Sequence, residues 1–349
     1  MDKVFLYPKL KYWAFLLVWF SSFSLAQNKI DALKSKTEVQ EFIRSAIKSD
    51  TTLTHFELIP IQDFHQYVVY SRTKAIADSL GIDKSFYKGD FDGNGLTDLL
   101  FIGDNKCCIG SYHDGNNTVD YSANFSVNII MDMGNHYSLE NILFNQFSKV
   151  IPIIKKYGQR DYIEVLYDQQ SEDIETKPFR TLHKNITKTL AYNFDTFVEY
   201  NPSPTQLPIE KITYESGKCF GKCPIFTLEL NKKGKSLFKA KSSNYIENPT
   251  DNLPEKLEGE FTTQMISEDF AKLEKMLNYI DFSNLQNDYS RSWTDNQNIT
   301  SLLTIVYSNG KTKKIRDYSL PGISGTYGLK AFYQVLSDLR FSQNWEKVK

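Results

Sequence analysis

The chain has 349 residues, and its 41 Lys and Arg against 42 Asp and Glu leave a formal net charge of −1. That balance offers no basic field for nucleic acid or for an anionic membrane surface. The 24 Phe and 21 Tyr, set among few Ala and many Asn, Ser and Thr, favour β-rich structure.

Residues 1–26 read as a secretory signal. Lys3, Lys9 and Lys11 make a basic start, Trp13 to Phe20 a short apolar core, and Ser24-Leu25-Ala26 a small-residue cleavage site before Gln27. The core is too short for a spanning helix, with a retained N-terminal anchor as the alternative. No later segment reaches eighteen apolar residues, so no membrane span is expected in the mature chain. The expected location is exported, either periplasmic or secreted. The chain beyond residue 26 is long enough for about two domains.

The first domain is expected over 27–200 and opens with a helix. Val39, Phe42, Ile43, Ala46 and Ile47 follow helical spacing, with Thr37 as N-cap. Strands are expected at Gln66–Tyr70, Leu99–Gly103, Ser126–Met131, Val150–Tyr157 and Asp161–Tyr167. Gly158-Gln159-Arg160 reads as a hairpin turn between the last two, and Thr189–Tyr200 as a strand pair or an extended segment.

Within this domain, residues 90–99 carry the strongest chemical signal. Oxygen-bearing side chains recur at Asp90, Asp92, Asn94 and Asp98, with Gly93 and Gly95 between them and the apolar run Leu99 to Ile102 after them. Calcium takes six to eight oxygens in flexible geometry. Three carboxylates repel one another in a tight turn until a cation reverses the sign. Asn94 would add a neutral oxygen and Leu96 a backbone carbonyl. Position twelve of the loop is Phe101, not the Glu of an EF-hand. The pattern instead resembles the calcium loops of FG-GAP and integrin-type repeats, although the chain shows one good copy, so only the loop is implied. The alternative is an Asp/Asn/Gly turn with no ion. Calcium here would be structural, with a Kd on the order of 10⁻⁴ M or weaker.

Cys107 and Cys108 lie shortly after the loop; a strained vicinal bridge, buried thiols and an intermolecular bond are all open to them. The stretch 201–208, with Pro202, Pro204 and Pro208, suits neither helix nor sheet interior and marks a linker.

The second domain is expected over 209–349. Strands are read at Ile212–Glu215, Ile225–Leu230 and Ser236–Ala240, and a hairpin joins Leu302–Tyr307 to Thr312–Tyr318 around Asn309-Gly310. Ser267 is read as the cap of a helix with Phe270, Leu273, Met276 and Leu277 inward, and Leu329–Leu339 as a last helix. Lys311-Thr312-Lys313-Lys314 reads as a solvated strand face. The fold class is therefore α+β: two domains, each a mainly antiparallel sheet with a few packed helices.

Cys219-Phe220-Gly221-Lys222-Cys223-Pro224 precedes a strand. Export favours a Cys219–Cys223 disulfide, and Gly221 permits the turn; a redox pair and a metal site are the alternatives. Around this motif, about residues 209–349 resemble an uncharacterised bacterial domain family built on Cys-Phe-Gly-x-Cys-Pro. That resemblance implies a fold and no activity. Tyr289, Trp293 and Asp295 cluster in a polar stretch and either line a ligand groove or pack a loop.

Catalytic patterns are weak. His55, His65, His113, His136 and His183 show no metal spacing, and Ser45 to Lys48 fits S-x-x-K without the partner motifs of that chemistry. Gly322 to Gly328 precedes the last helix and reads as a loop or an anion seat. The sequence thus points to an exported, non-catalytic protein, calcium-stabilised and binding a protein or glycan partner. The alternative is an exported hydrolase with its site at the domain junction.

Overall fold

The computed structural model describes residues 29–47, 50–107, 109–122, 124–143, 149–158, 160–173, 180–217, 223–246, 255–289, 300–318 and 325–348. The expected signal, residues 1–26, lies outside them. Five helices and 44% strand among the described residues make the protein more β-rich than the α+β class read from the sequence. No helix among them is long and apolar enough to cross a membrane.

The chain begins with α1 (Lys29–Ala32) and α2 (Lys36–Ala46). The cap of α2 is Ser35, not Thr37. Ser35 Oγ accepts from the Glu38 N–H at 3.2 Å, and the Glu38 carboxylate accepts from the Ser35 N–H at 2.9 Å. This reciprocal pair satisfies two helix-end donors, whereas Gln40, the partner a Thr37 box would use, accepts from the Leu58 amide at 3.1 Å instead. Val39, Phe42 and Ile43 are buried as expected. After β1 (Glu57–Leu58), residues 66–70 are not a strand. The amides of Val68 and Val69 both donate to the His65 carbonyl, at 2.9 and 3.0 Å, and the chain then enters α3 (Ser71–Ser79). The two valines are buried by this turn, so apolarity alone misled the strand assignment.

The central sheet comprises β1, β2 (Phe86–Gly89), β3 (Asp98–Asp104), β6 (Ser126–Asp132) and β7 (Tyr137–Asn141). It runs β1-β3-β6-β7, with β2 also paired to β3. A hairpin of β4 (Ile109–Asp114) and β5 (Asn117–Ser122), unforeseen in the sequence, stands off it. β3 and β6 are buried along their whole length. Leu99, Phe101 and Ile130 pack with α2; Leu100, Ile102, Val127 and Ile129 face a second core. An unbroken apolar run is what a strand covered on both faces requires.

That second core is closed by β8 (Ile151–Tyr157), β9 (Arg160–Asp173), β10 (Arg180–Asn193) and β11 (Thr196–Glu199), in the order β11-β10-β9-β8. The chain reverses where expected, with Gly158 at φ 68° and Tyr157 opposite Arg160, which already belongs to β9. Thr189–Tyr200 resolves into the end of β10 and β11, joined through Phe194 and Asp195 at φ 57° and 60°.

The remaining strands form one eight-stranded sheet. These are β12 (Ile209–Glu215), β13 (Ile225–Asn231), β14 (Ser236–Ile246), β15 (Glu255–Thr263), β16 (Asp288–Tyr289), β17 (Thr300–Tyr307), β18 (Thr312–Tyr318) and β19 (Glu346–Lys347). Their order is β16-β18-β17-β12-β13-β14-β15-β19. Pairing is antiparallel apart from the short β16–β18 contact. Ile212, Tyr214, Phe226, Leu228, Leu303, Ile305 and Ile315 line one face under α4 (Ser267–Tyr279) and α5 (Tyr327–Ser342). The alternate residues form an open face. Ser267 sits just inside α4, whose cap residue is Ile266. Lys311, Thr312 and Lys314 are exposed at the start of β18, as expected of a solvated stretch.

Residues 201–208 have no regular structure, yet they are tied to α4. The Leu207 N–H donates to Asn278 Oδ1 at 2.9 Å, and Asn201 Nδ2 to the Tyr279 carbonyl at 2.7 Å. A second tie joins the halves. Tyr327, at the start of α5, is buried in the core of the first half, its hydroxyl donating to the Ile142 carbonyl at 3.0 Å. The Glu199 carboxylate at the end of β11 accepts from the Tyr327 and Gly328 amides at 3.0 and 2.8 Å. Together with the Thr326 side chain it occupies the positive end of α5, the place that the sequence offers as an anion seat.

Candidate cation loop

The loop of residues 90–97 closes the β2–β3 hairpin, where Gly89 pairs with Asp98. Phe91 anchors it, fully buried against the second core. Gly93 and Gly95 adopt φ of 77° and 83°, the left-handed region that favours glycine. The turn is held by its own side chains. Asp90 Oδ1 and Oδ2 accept from the Gly93 and Gly95 amides at 2.8 and 3.0 Å, and Asp92 Oδ1 accepts from the Asn94 amide at 3.0 Å.

These bonds bring Asp90, Asp92 and Asp98 together, with one carboxylate oxygen from each within 4.8 Å of the others. Asp98 is fully buried. Its oxygens accept from the Phe91 and Asp132 amides, each at 2.8 Å. Burial nevertheless outweighs those two bonds, and the charges of Asp92 and Asp90 add to it, so the Asp98 carboxyl is pushed up to about 7. Burial also raises Asp92, with Asp90 contributing. Negative charge is thus concentrated beyond what the surrounding amides offset. Oxygen donors clustered in this way match a hard divalent cation such as calcium.

Asn94 spends its side chain on hydrogen bonds in and beside the loop, one of them from the Leu96 amide. Asn94 Oδ1 accepts from the Leu96 amide at 2.7 Å. Its Nδ2 donates to Asp92 Oδ2 at 2.9 Å and to the Asp132 carbonyl at 2.8 Å. In this arrangement the Asn94 amide group itself partly offsets the Asp92 charge. Nothing in the sequence marks the loop's outer supports. The Asp161 side chain accepts from the Asp90 amide at 3.0 Å, and Arg160 Nε donates to the Phe91 carbonyl at 3.0 Å. Both lie at the start of β9, about seventy residues on, and no local pattern links them to the loop.

The other singled-out residues do not join this site. Tyr289 packs against the core of the second half, its hydroxyl accepting from the Gln286 amide at 3.2 Å. Trp293 and Asp295 lie outside the described residues, as do Cys108 and Cys219. Cys107 is exposed, and Cys223 lies just before β13. His183 meets Asp168 at 2.6 Å on the β9–β10 hairpin, while His65 lies among Tyr67, Tyr112 and Tyr121. No histidine lines the cavity at the ends of β12 and β13 or the one beside residues 204–208. The latter measures about 390 Å³. Its Lys232 and Glu274 pair with each other at 3.2 Å.

No curated protein and no solved structure matches the chain. Residues 210–340, from β12 into α5, match a family described as a domain of unknown function, DUF6438, and the chain therefore contains a DUF6438 domain in its C-terminal part.

Proposed function

We propose that this is an exported, non-catalytic binding protein whose residue 90–98 loop is held by a structural calcium ion. The convergence of Asp90, Asp92 and Asp98, with Asp98 buried and its carboxyl pushed up to about 7, is the observation that carries this reading. Asp90, Asp92 and Asp98 would supply carboxylate oxygens. The ion would neutralise the loop and fasten β2–β3 to the end of β6 and the start of β9. Residues 1–26 would direct export, and free calcium outside the cytoplasm suits a weak site. Cys219 and Cys223 would bridge and clip the loop before β13. The partner is a protein or a surface glycan. In the alternative, a hydrolase site would lie at the junction between the halves. Junction groups are committed elsewhere: Glu199 binds helix amides, and Asn201 binds Tyr279.

The test is a thermal melt in calcium and in chelator. Wild type should melt higher as calcium rises, because the ion binds the folded state, and Asp92→Ala should lose that response. A wild-type midpoint indifferent to millimolar calcium would remove the ion from the reading.

A further inference from the structure

We propose that the open face of the eight-stranded sheet carries a binding site for a free acidic amino acid, a ligand with one ammonium and two carboxylates. The site is a cavity of about 280 Å³ whose lining includes Glu215, Ser216, Thr227, Lys241, Leu302 and Arg316. It goes beyond the protein or glycan partner of the proposed function and is independent of the cation loop.

Charge pairing on this face singles the cavity out. Lys211 pairs with Glu229 at 2.5 Å, Lys239 with Glu260 at 2.9 Å, and Lys256 with Glu258. These pairs neutralise much of the open surface, and Lys314, exposed on β18 outside the cavity lining, makes no ion pair among the described residues. Glu215, Lys241 and Arg316 likewise make no ion pair among the described residues. Unlike Lys314, all three line the same cavity.

Strand order sets their arrangement. Glu215 stands on β12. Arg316 stands on β18, with β17 between, and Lys241 on β14, with β13 between. Two strand spacings are about 10 Å, within the combined reach of these long side chains. Across β18, β12 and β14 the pattern is therefore positive, negative, positive, with Asp288 beside Arg316 on the edge strand β16 and outside the cavity lining. Glu215 repels a simple dianion, and the two cations repel a simple amine. A ligand reading negative, positive, negative meets all three at once. Arg316 suits one carboxylate through its two-pronged guanidinium, Lys241 the other as a point charge, and Glu215 the ammonium. The ends of β12 and β13 that frame the cavity are fixed, since Ser216 N–H donates to the Phe226 carbonyl at 2.9 Å and Ser216 Oγ to that of Pro224 at 2.6 Å.

The experiment is isothermal titration of the full mature chain with glutamate, glutarate and γ-aminobutyrate. It is run once in calcium and once in chelator, so that failure of the cation loop and failure of this site are told apart. Glutamate should bind saturably in both. Glutarate, lacking the ammonium, and γ-aminobutyrate, lacking one carboxylate, should bind at least tenfold more weakly. Arg316→Gln and Lys241→Gln should each weaken glutamate at least tenfold, while Lys239→Gln, on the same face, should leave it unchanged. Arg316 and Lys241 are exposed, so both variants should keep the wild-type melting curve, which is measured alongside. Absence of saturable glutamate binding overturns the proposal. So does equal binding of glutarate, or affinity indifferent to Arg316→Gln in a folded variant.

Discussion

Removing divalent cation should expose the cost of burying Asp98, and pH should reveal it. The Asp98 carboxyl is fully buried and pushed up to about 7, chiefly by burial and then by the Asp92 and Asp90 charges. In the unfolded chain it returns to the ordinary value near 3.9. A carboxyl with a raised value binds its proton more tightly in the fold than in the unfolded chain. Ion-free protein should therefore gain stability as pH falls from about 7 toward 4, and should carry the full penalty above 7. At about 1.4 kcal/mol per tenfold change in proton affinity, that penalty is on the order of 4 kcal/mol. Asp92 acts in the same direction. The assay is urea unfolding in chelator at pH 8 and pH 5.5, repeated in excess calcium. The ion-free midpoint should rise on acidification, and calcium should remove most of the difference by offsetting the charge at pH 8. Asp98→Asn, which cannot ionise, should flatten the ion-free response. An ion-free wild type equally stable at the two pH values, or weaker at pH 5.5, would refute the argument that buried charge strains this loop.

Glu199→Ala should cost about 2 kcal/mol, since it strips the two amides at the start of α5 of a charged acceptor; denaturant melts followed in both halves would read it, and a change below about 0.5 kcal/mol would show that the contact does not couple them. Gly103→Ala should be among the most disruptive small changes, because its added methyl would lie 2.1 Å from the Glu57 backbone carbonyl oxygen. Soluble yield and melting point report on it, and a variant as stable as wild type would mean that the β1–β3 contact yields easily. Leu228→Ala, in the middle of β13 and fully buried, should cost about 2–5 kcal/mol in a urea titration. Thiol titration of the unfolded, unreduced protein should find Cys219 and Cys223 blocked, and two reactive thiols there would exclude the proposed bridge.

The sequence by itself determined what depends on neighbours in the chain. The carboxylate and glycine spacing of residues 90–98 was legible because a turn of this kind is built from its own side chains. Asp90 reaches Gly93 and Gly95, and Asp92 reaches Asn94. The helical stripes of α2 and α4, the hairpins at 158–160 and 308–310, and the buried run of β3 arise from period and turn chemistry in the same way. Even there, the cap of α2 moved to Ser35, which forms the reciprocal bond with Glu38, because β1 takes Gln40 for the Leu58 amide.

Tertiary structure alone decided the rest. Asp161, Arg160 and Asp132 support the loop from strands far along the chain. Glu199 caps a helix that begins 128 residues after it. The β4–β5 hairpin went unread although Gly115-Asn116 is a two-residue turn pair and Val119 and Tyr121 alternate with polar residues, because its strands are mostly exposed and short of apolar residues. Likewise, Arg316, Glu215 and Lys241 look like ordinary surface charges in sequence. Only the strand order places them around one cavity. Local rules see one chain segment at a time, whereas an energy shared across strands exists only once the strands have paired.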